Sequence, residues 1–253
     1  MKLIHGGVTA PIGFRANGIY CGIKKSKRHD LTLIVSEKLC EAAGVFTTNK
    51  VQASCVVINK ERLRDSKAQA IIANSGNANC MTGKSGFENS RLMTATAARA
   101  LKVHKKNVLV ASTGVIGKPL PIKKIVNSVP ELVKGLSRKG GELAAAGILT
   151  TDRMIKEIAV KFLVGKKRVR IGAIAKGAGM IHPQMATMLC FVTTDAVITT
   201  AALRDALARA VNKTFNTITI DGDMSTNDMV LILANGMAQN KKIVEKTKEF
   251  QLF

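Results

Sequence analysis

The sequence predicts a mixed α/β fold, and three observations carry that prediction. Short β-branched or aliphatic runs alternate with stretches whose apolar residues recur every three to four positions. Hydrophobic residues fill 46% of the 253 positions and charged ones 22%, which supplies a sizeable core and excludes a disordered chain. No run of about 18 apolar residues interrupts the alternation, so a membrane span is not expected.

Taken in order, Leu31–Val35, Cys55–Asn59, Ala70–Ala73 and Val108–Ala111 read as strands, each an apolar run with turn residues nearby. Glu88–His104 reads as a helix, because Leu92, Ala95, Ala98 and Leu101 share a face. Ile122–Leu136 reads as a second, opened by Pro119 and Pro121 and stopped near Gly135. Glu157–Val164 and Val169–Ala175 form a hairpin around the basic turn Gly165–Arg168, and Met188–Thr193 is another apolar strand. Thr200–Phe215 is helical, with Leu203, Leu207, Val211 and Phe215 four apart and Thr199 or Thr200 as N-cap. Met229–Ala234 fits strand or helix. Lys241–Phe253 has helical spacing but ends on Leu252–Phe253 without a cap. Terminal apolar residues of that kind lack a packing partner, so the chain is expected to be a fragment. There is no internal repeat and no low-complexity linker.

Lys and Arg number 39 against 17 Asp and Glu, a net charge of +22. Residues 187–253 hold seven basic and seven acidic residues, so the whole excess lies before residue 187. A basic surface attracts nucleic acid, anionic lipid or carboxylate metabolites. The basic residues cluster in short groups at turns (Lys24–Lys25–Lys27–Arg28, Lys105–Lys106, Lys166–Lys167–Arg168–Arg170), and a Lys-rich solvated surface accounts for them. No nucleic-acid recognition motif accompanies them, Trp is absent and Tyr20 is the one tyrosine, so no nucleic-acid partner is expected. The five Cys are irregularly spaced without a C-x-x-C pair, and the four His show no ligand spacing; no metal site is expected. Free thiols and an N-terminus without a signal pattern fit a cytoplasmic protein.

Two glycine-rich stretches fall short of nucleotide motifs. Asn74–Ser85 would be a phosphate loop if Ala78 were Gly, and Lys176-Gly-Ala-Gly-Met180 lacks the third Gly of a dinucleotide turn. The more informative block is Lys176–Asp195, in which a strand leads through a Gly-rich turn and Pro183 to Ala186–Thr187 and a new apolar strand. A Thr hydroxyl becomes a nucleophile only when a base takes its proton. A chain break before Thr187 would supply that base as the freed α-amine. Such an amine titrates at about 7.7–8.0, so it can take the proton and later return it.

This block closely resembles the self-processing segment of the ornithine acetyltransferase (glutamate N-acetyltransferase) family of arginine biosynthesis. Further landmarks follow in family order. Phe46-Thr-Thr-Asn49 and Asn74-Ser-Gly-Asn-Ala-Asn79 are similar to its N-terminal signatures, and Ala111-Ser-Thr-Gly-Val-Ile-Gly117 to its oxyanion loop. Thr150-Thr-Asp152 with Lys156-Glu157 resembles its substrate-side loop. Thr214–Asp228 and Leu233-Ala-Asn-Gly236 resemble its second-chain signature.

The resemblance implies a layered sandwich of sheets between helices, of the N-terminal-nucleophile kind. It implies cleavage between Ala186 and Thr187, giving an α-chain segment 1–186 and the start of a β-chain segment from 187 to 253. Thr187 would be the nucleophile, Thr113 and Gly114 the oxyanion-stabilising pair, and Thr150, Lys176 and Thr187 substrate contacts. The implied reaction carries the acetyl group from N-acetylornithine to glutamate through an acetyl-Thr intermediate. No cofactor is implied; acetyl-CoA serves as a second donor substrate in bifunctional members. The implied assembly is a heterotetramer of two α and two β chains. Relative to the family the chain is expected to be C-terminally truncated, without the family's β-chain Glu contact and its terminal Asn/Thr pair. Arg153 and Ile155 stand where the family usually has Thr and Pro. Two alternatives remain: an inactive shortened member, extending to a merely basic binding protein, and a related self-processing amide hydrolase or aminopeptidase.

Overall fold

A computed structural model of the chain describes residues 1–179, 188–220 and 222–253. The strands are β1 (Lys2–Ile4), β2 (Phe14–Ile19), β3 (Leu31–Phe46), β4 (Lys67–Asn77), β5 (Val108–Val115), β6 (Lys156–Val164), β7 (Lys167–Lys176), β8 (Leu189–Thr194) and β9 (Met229–Ala234). The helices are α1 (Ser54–Arg62), α2 (Gly83–Leu101), α3 (Ile122–Lys134), α4 (Gly141–Ile148), α5 (Thr200–Lys213) and the short α6 (Lys248–Leu252). Hydrogen bonding links the strands in the order β1-β6-β7-β8-β9-β3-β4-β5, with β2 on β3 as a branch.

The branch exists because β3 changes partners along its length within this one continuous sheet. Its first half pairs with β2 and β4, the register slips between Val35 and Cys40, and Glu41–Phe46 then pairs with β9. A straight strand of that length would hold its ends about 50 Å apart at about 3.3 Å per residue. Yet Leu31 lies opposite Asn74, Asn74 lies opposite Ser112, and the Asn227 amide, two residues before the Phe46 partner Met229, reaches Ser112 O at 2.8 Å. The strand therefore turns a corner at its bulge, as strands do when they pass between packed sheets.

Two cores follow from the alternation of side chains across the two faces of the sheet. Met229, Leu231 and Leu233 of β9 join the larger core with α1–α4, while Val230, Ile232 and Ala234 face the smaller one. That smaller core is closed by Leu203, Leu207 and Val211 of α5, part of the stripe the sequence spacing predicts, together with Ala202; Phe215, the last of the expected stripe, lies past the end of α5 and packs on the same core. Helix α4 carries mostly small residues and lies close against the strands. Its Ala144 and Gly147 carbonyls accept from Thr32 Oγ1 at 2.8 Å and Ser75 Oγ at 2.6 Å. The layered sandwich is the fold the family resemblance implies.

Most expected elements are present with shifted ends. Cys55–Asn59 is a correction: it lies in α1, not in a strand. A short apolar run has no readable period, and here burial of Cys55, Val56, Ile58 and Asn59 under the sheet decides. Basic Lys60 and Arg62 in its last turn also suit the helix dipole. Strands β1 and β2 and helix α4 had no expected counterpart. In the tail only Lys248–Leu252 is helical, while Ile243 instead bridges to Ile198 and is buried. The boundary at 186/187 does not separate folding units, because β8 and β9 sit between β7 and β3.

Candidate active site

The carboxyl ends of β4, β5 and β7 open together onto a cavity of about 960 Å3, lined by Thr113, Gly114, Thr150 and Lys176 among others. These four come from three separate stretches of sequence, and the fold brings them to one wall. Ala186 and Thr187 lie outside the described residues, so cleavage and nucleophile are not placed by the geometry.

Thr113 and Gly114 end β5 in parallel pairing with Ser75 and Gly76 of β4. Gly114 has φ +133°, and a Cβ there would come within 2.5 Å of Asn77 N. Both the backbone conformation and the close approach require glycine. The neighbouring turn is held by amide side chains. Asn74 Nδ2 donates to Asn77 O, Asn77 Nδ2 to the Lys118 and Pro119 carbonyls, and Ser112 Oγ to Asn74 Oδ1. From the segment just before β9, Asn227 Nδ2 donates to Ala78 O at 2.7 Å and Ser112 O at 2.8 Å. The Asn-rich run 74–79 is thus a scaffold that fixes the Thr113–Gly114 bend, the rigidity that electrostatic stabilisation of an oxyanion needs.

Thr150 and Lys176 are joined through Asp152. The buried Asp152 carboxylate pairs with Lys156 and accepts from Gly177 N at 2.8 Å and Thr150 N at 3.5 Å. Burial pushes its pKa up, but the Lys156 hydrogen bond, the Gly177 amide and the Lys156 charge outweigh burial and hold it below the usual carboxylate range. The loop is fixed in this way although Arg153 and Ile155 depart from the family pattern; Arg153 is exposed and Ile155 packs on the core. Lys176, the last residue of β7, is 3% exposed. Burial draws its ammonium below the ordinary lysine range, against the pull of Asp228 and Asp152.

Several contributors were not singled out in the sequence. Buried Asp30 accepts from the Cys21, Ile23 and Lys24 amides at 2.6, 2.7 and 2.9 Å, and so shapes the basic turn on the cavity wall. Burial lowers Lys24 to about 8. Asp228, next to β9, accepts from Met188 N at 2.9 Å on Oδ1 and has no partner on Oδ2. Burial pushes its pKa up to about 7, against the Ser225 hydroxyl, the Met188 amide and the Lys176 charge. Asp228 closes the recognised run Thr214–Asp228 but carries no residue-level signal of its own, and the Lys24 cluster reads as a solvated turn. The wall offers cations for carboxylates and fixed backbone for a developing oxyanion. Among the described residues no group of three or more His, Cys, Asp or Glu could hold a metal ion.

A family model for the ArgJ family matches residues 15–253. The arginine biosynthesis bifunctional protein ArgJ of Caldanaerobacter subterraneus subsp. tengcongensis is 49% identical over 100% of this chain and 62% of its own length. The chain spans about 60% of the length of the curated relatives it matches. The structure is similar, at TM-score 0.67 and 37% identity, to ornithine acetyltransferase complexed with ornithine from Mycobacterium tuberculosis, over 72% of this chain and 97% of the solved one. An L-aminopeptidase D-Ala-esterase/amidase from Ochrobactrum anthropi, described as a variant of the Ntn-hydrolase fold, shares the fold alone at TM-score 0.51 and 11% identity.

Proposed function

The chain belongs to the ArgJ family, and from that membership we propose that the protein transfers the acetyl group of N-acetylornithine to glutamate after self-cleavage between Ala186 and Thr187. Thr187 Oγ attacks the acetyl carbonyl while its α-amine takes the hydroxyl proton. The amide C–N bond breaks, the α-ammonium returns the proton to the leaving nitrogen, and ornithine departs from an acetyl-Thr ester. The glutamate α-amine then attacks the ester and regenerates the hydroxyl. Thr113 and Gly114 stabilise the tetrahedral oxygen; loss of one such donor costs about 10²–10³ in rate. Lys176 and Thr150 hold the substrate, Lys176 as a point charge for its carboxylate.

The observation that carries this reading is the shared cavity wall of Thr113, Gly114, Thr150 and Lys176. Chain length supports it as well. The solved relative is shorter than this chain, whereas the curated relatives are longer, as expected if relatives are cut near this point. The further parts of the reading are an assembly of two α and two β chains, a cytoplasmic location, acetyl-CoA as a second donor, and no resident cofactor. The test supplies N-acetylornithine with and without glutamate. Acetylglutamate and ornithine appearing together, only with glutamate present, support transfer. Acetate release indifferent to glutamate assigns the protein to the hydrolases instead.

A further inference from the structure

Three strands set residues from distant parts of the chain in one row. Lys176 lies opposite Leu189 across β7 and β8, and Leu189 lies opposite Met229 across β8 and β9. Asp228 and Met188 each stand one residue before that row, joined by the Met188 amide on Asp228 Oδ1 at 2.9 Å. Lys176 and Asp228 therefore flank the start of β8, which begins two residues after Thr187 in the sequence. Both are buried, at 3% and 1% exposure. Lys176 forms no salt bridge within 4.0 Å among the described residues, and Asp228 Oδ2 has no hydrogen-bond partner. A buried carboxylate oxygen left without a partner is costly unless its charge serves a neighbour.

We propose that Asp228 is a positioning residue, which anchors the start of β8 through one oxygen and holds the buried Lys176 in its charged form through the field of the other. This deepens the reading of Lys176 as the substrate-carboxylate contact and rests on it for its consequence in catalysis. The juxtaposition itself does not depend on that reading. The charged groups facing the pair are Asp152 and Lys156 beside Lys176. The cavity that Lys176 lines is also lined by Lys24, Lys25, Arg28, Lys118 and Asp223. This set is mostly cationic, and Asp228 and Asp152 are the carboxylates whose charge favours the Lys176 ammonium. Without Asp228 the ammonium would face burial and like charge together.

The test compares the wild-type chain with Asp228→Asn. Asparagine keeps an oxygen for the Met188 amide, so the strand start is retained and only the charge is removed. The protonation of Lys176 is read directly, from the pH dependence of its labelling by acetic anhydride followed by peptide mass spectrometry. The expected result is a labelling midpoint about one pH unit or more lower in the variant, the scale of a lost opposite charge. An unchanged midpoint in a folded variant overturns the proposal. This readout needs no acetyl transfer. A shifted midpoint in a protein that transfers nothing upholds the Asp228 assignment while removing the transferase reading. In an active enzyme the alkaline limb of kcat/KM for N-acetylornithine moves down with the midpoint, whereas a merely structural role would leave that limb in place.

Discussion

Single residues show most clearly what the sequence could and could not reveal. Thr113-Gly114, Thr150 and Lys176 were singled out because motifs in a fixed order surround them, and all four line one cavity. Asp30, Asp152 and Asp228 were not, because a carboxylate's role depends on partners that only folding supplies; Gly177, for instance, is 25 positions from Asp152. Gly114→Ala tests the bend. With φ at +133° and Asn77 N 2.5 Å from the added Cβ, the chain must strain or shift. We expect a loss of about 2 kcal/mol in urea unfolding and at least the ~10²-fold rate loss of a displaced oxyanion donor. Asp152→Asn tests the loop. Its carboxylate is held below the ordinary range, so its contribution is present above the unfolded value of about 3.9 and is lost as pH falls through the lowered folded value. Lys156 is 42% exposed and water screens the pair, so the expected loss at pH 7 is about 1 kcal/mol. Urea midpoints of the two proteins should converge as pH falls toward 3; a gap of constant size would contradict the charge argument.

Among the elements, periodic helices and alternating strands were readable, while the corner in β3 and the helix α1 were not. Residues 37–39 are exposed between two apolar halves of β3, a polar break that looks like a loop unless the partners β2, β4 and β9 are known. For α1 the deciding residue is Asn59, a poor strand or helix former whose side chain faces β5, the last strand in the order. Asn59 Nδ2 donates to Val110 O at 2.8 Å and Val110 N donates to Asn59 Oδ1 at 3.0 Å. One side chain thus satisfies both backbone groups at this point of the edge. Asn59→Leu should cost about 3 kcal/mol, since two buried backbone groups lose their partners at about 1–3 kcal/mol each. Equilibrium urea unfolding measures it; a loss under 1 kcal/mol would mean that the edge finds other partners.

At the scale of the whole molecule, the family pattern revealed the layered architecture, but not that the segments before and after Thr187 share one sheet. Strands β8 and β9 occupy its middle, and their side chains enter both cores. The proposed cleavage at 186/187 would therefore leave two pieces that cannot part without exposing those cores. They should elute together in native gel filtration and separate only in denaturant; separate native peaks would contradict the shared sheet. In the proposed reaction, catalysis depends on what that cut would create, a threonine whose amine and hydroxyl are both free. Intact mass spectrometry after incubation with N-acetylornithine alone reads this directly. The account predicts a fragment beginning at Thr187 and heavier by one acetyl group, which reverts to its unmodified mass when glutamate is added. A single uncut species of 27.0 kDa carrying no acetyl group would contradict it.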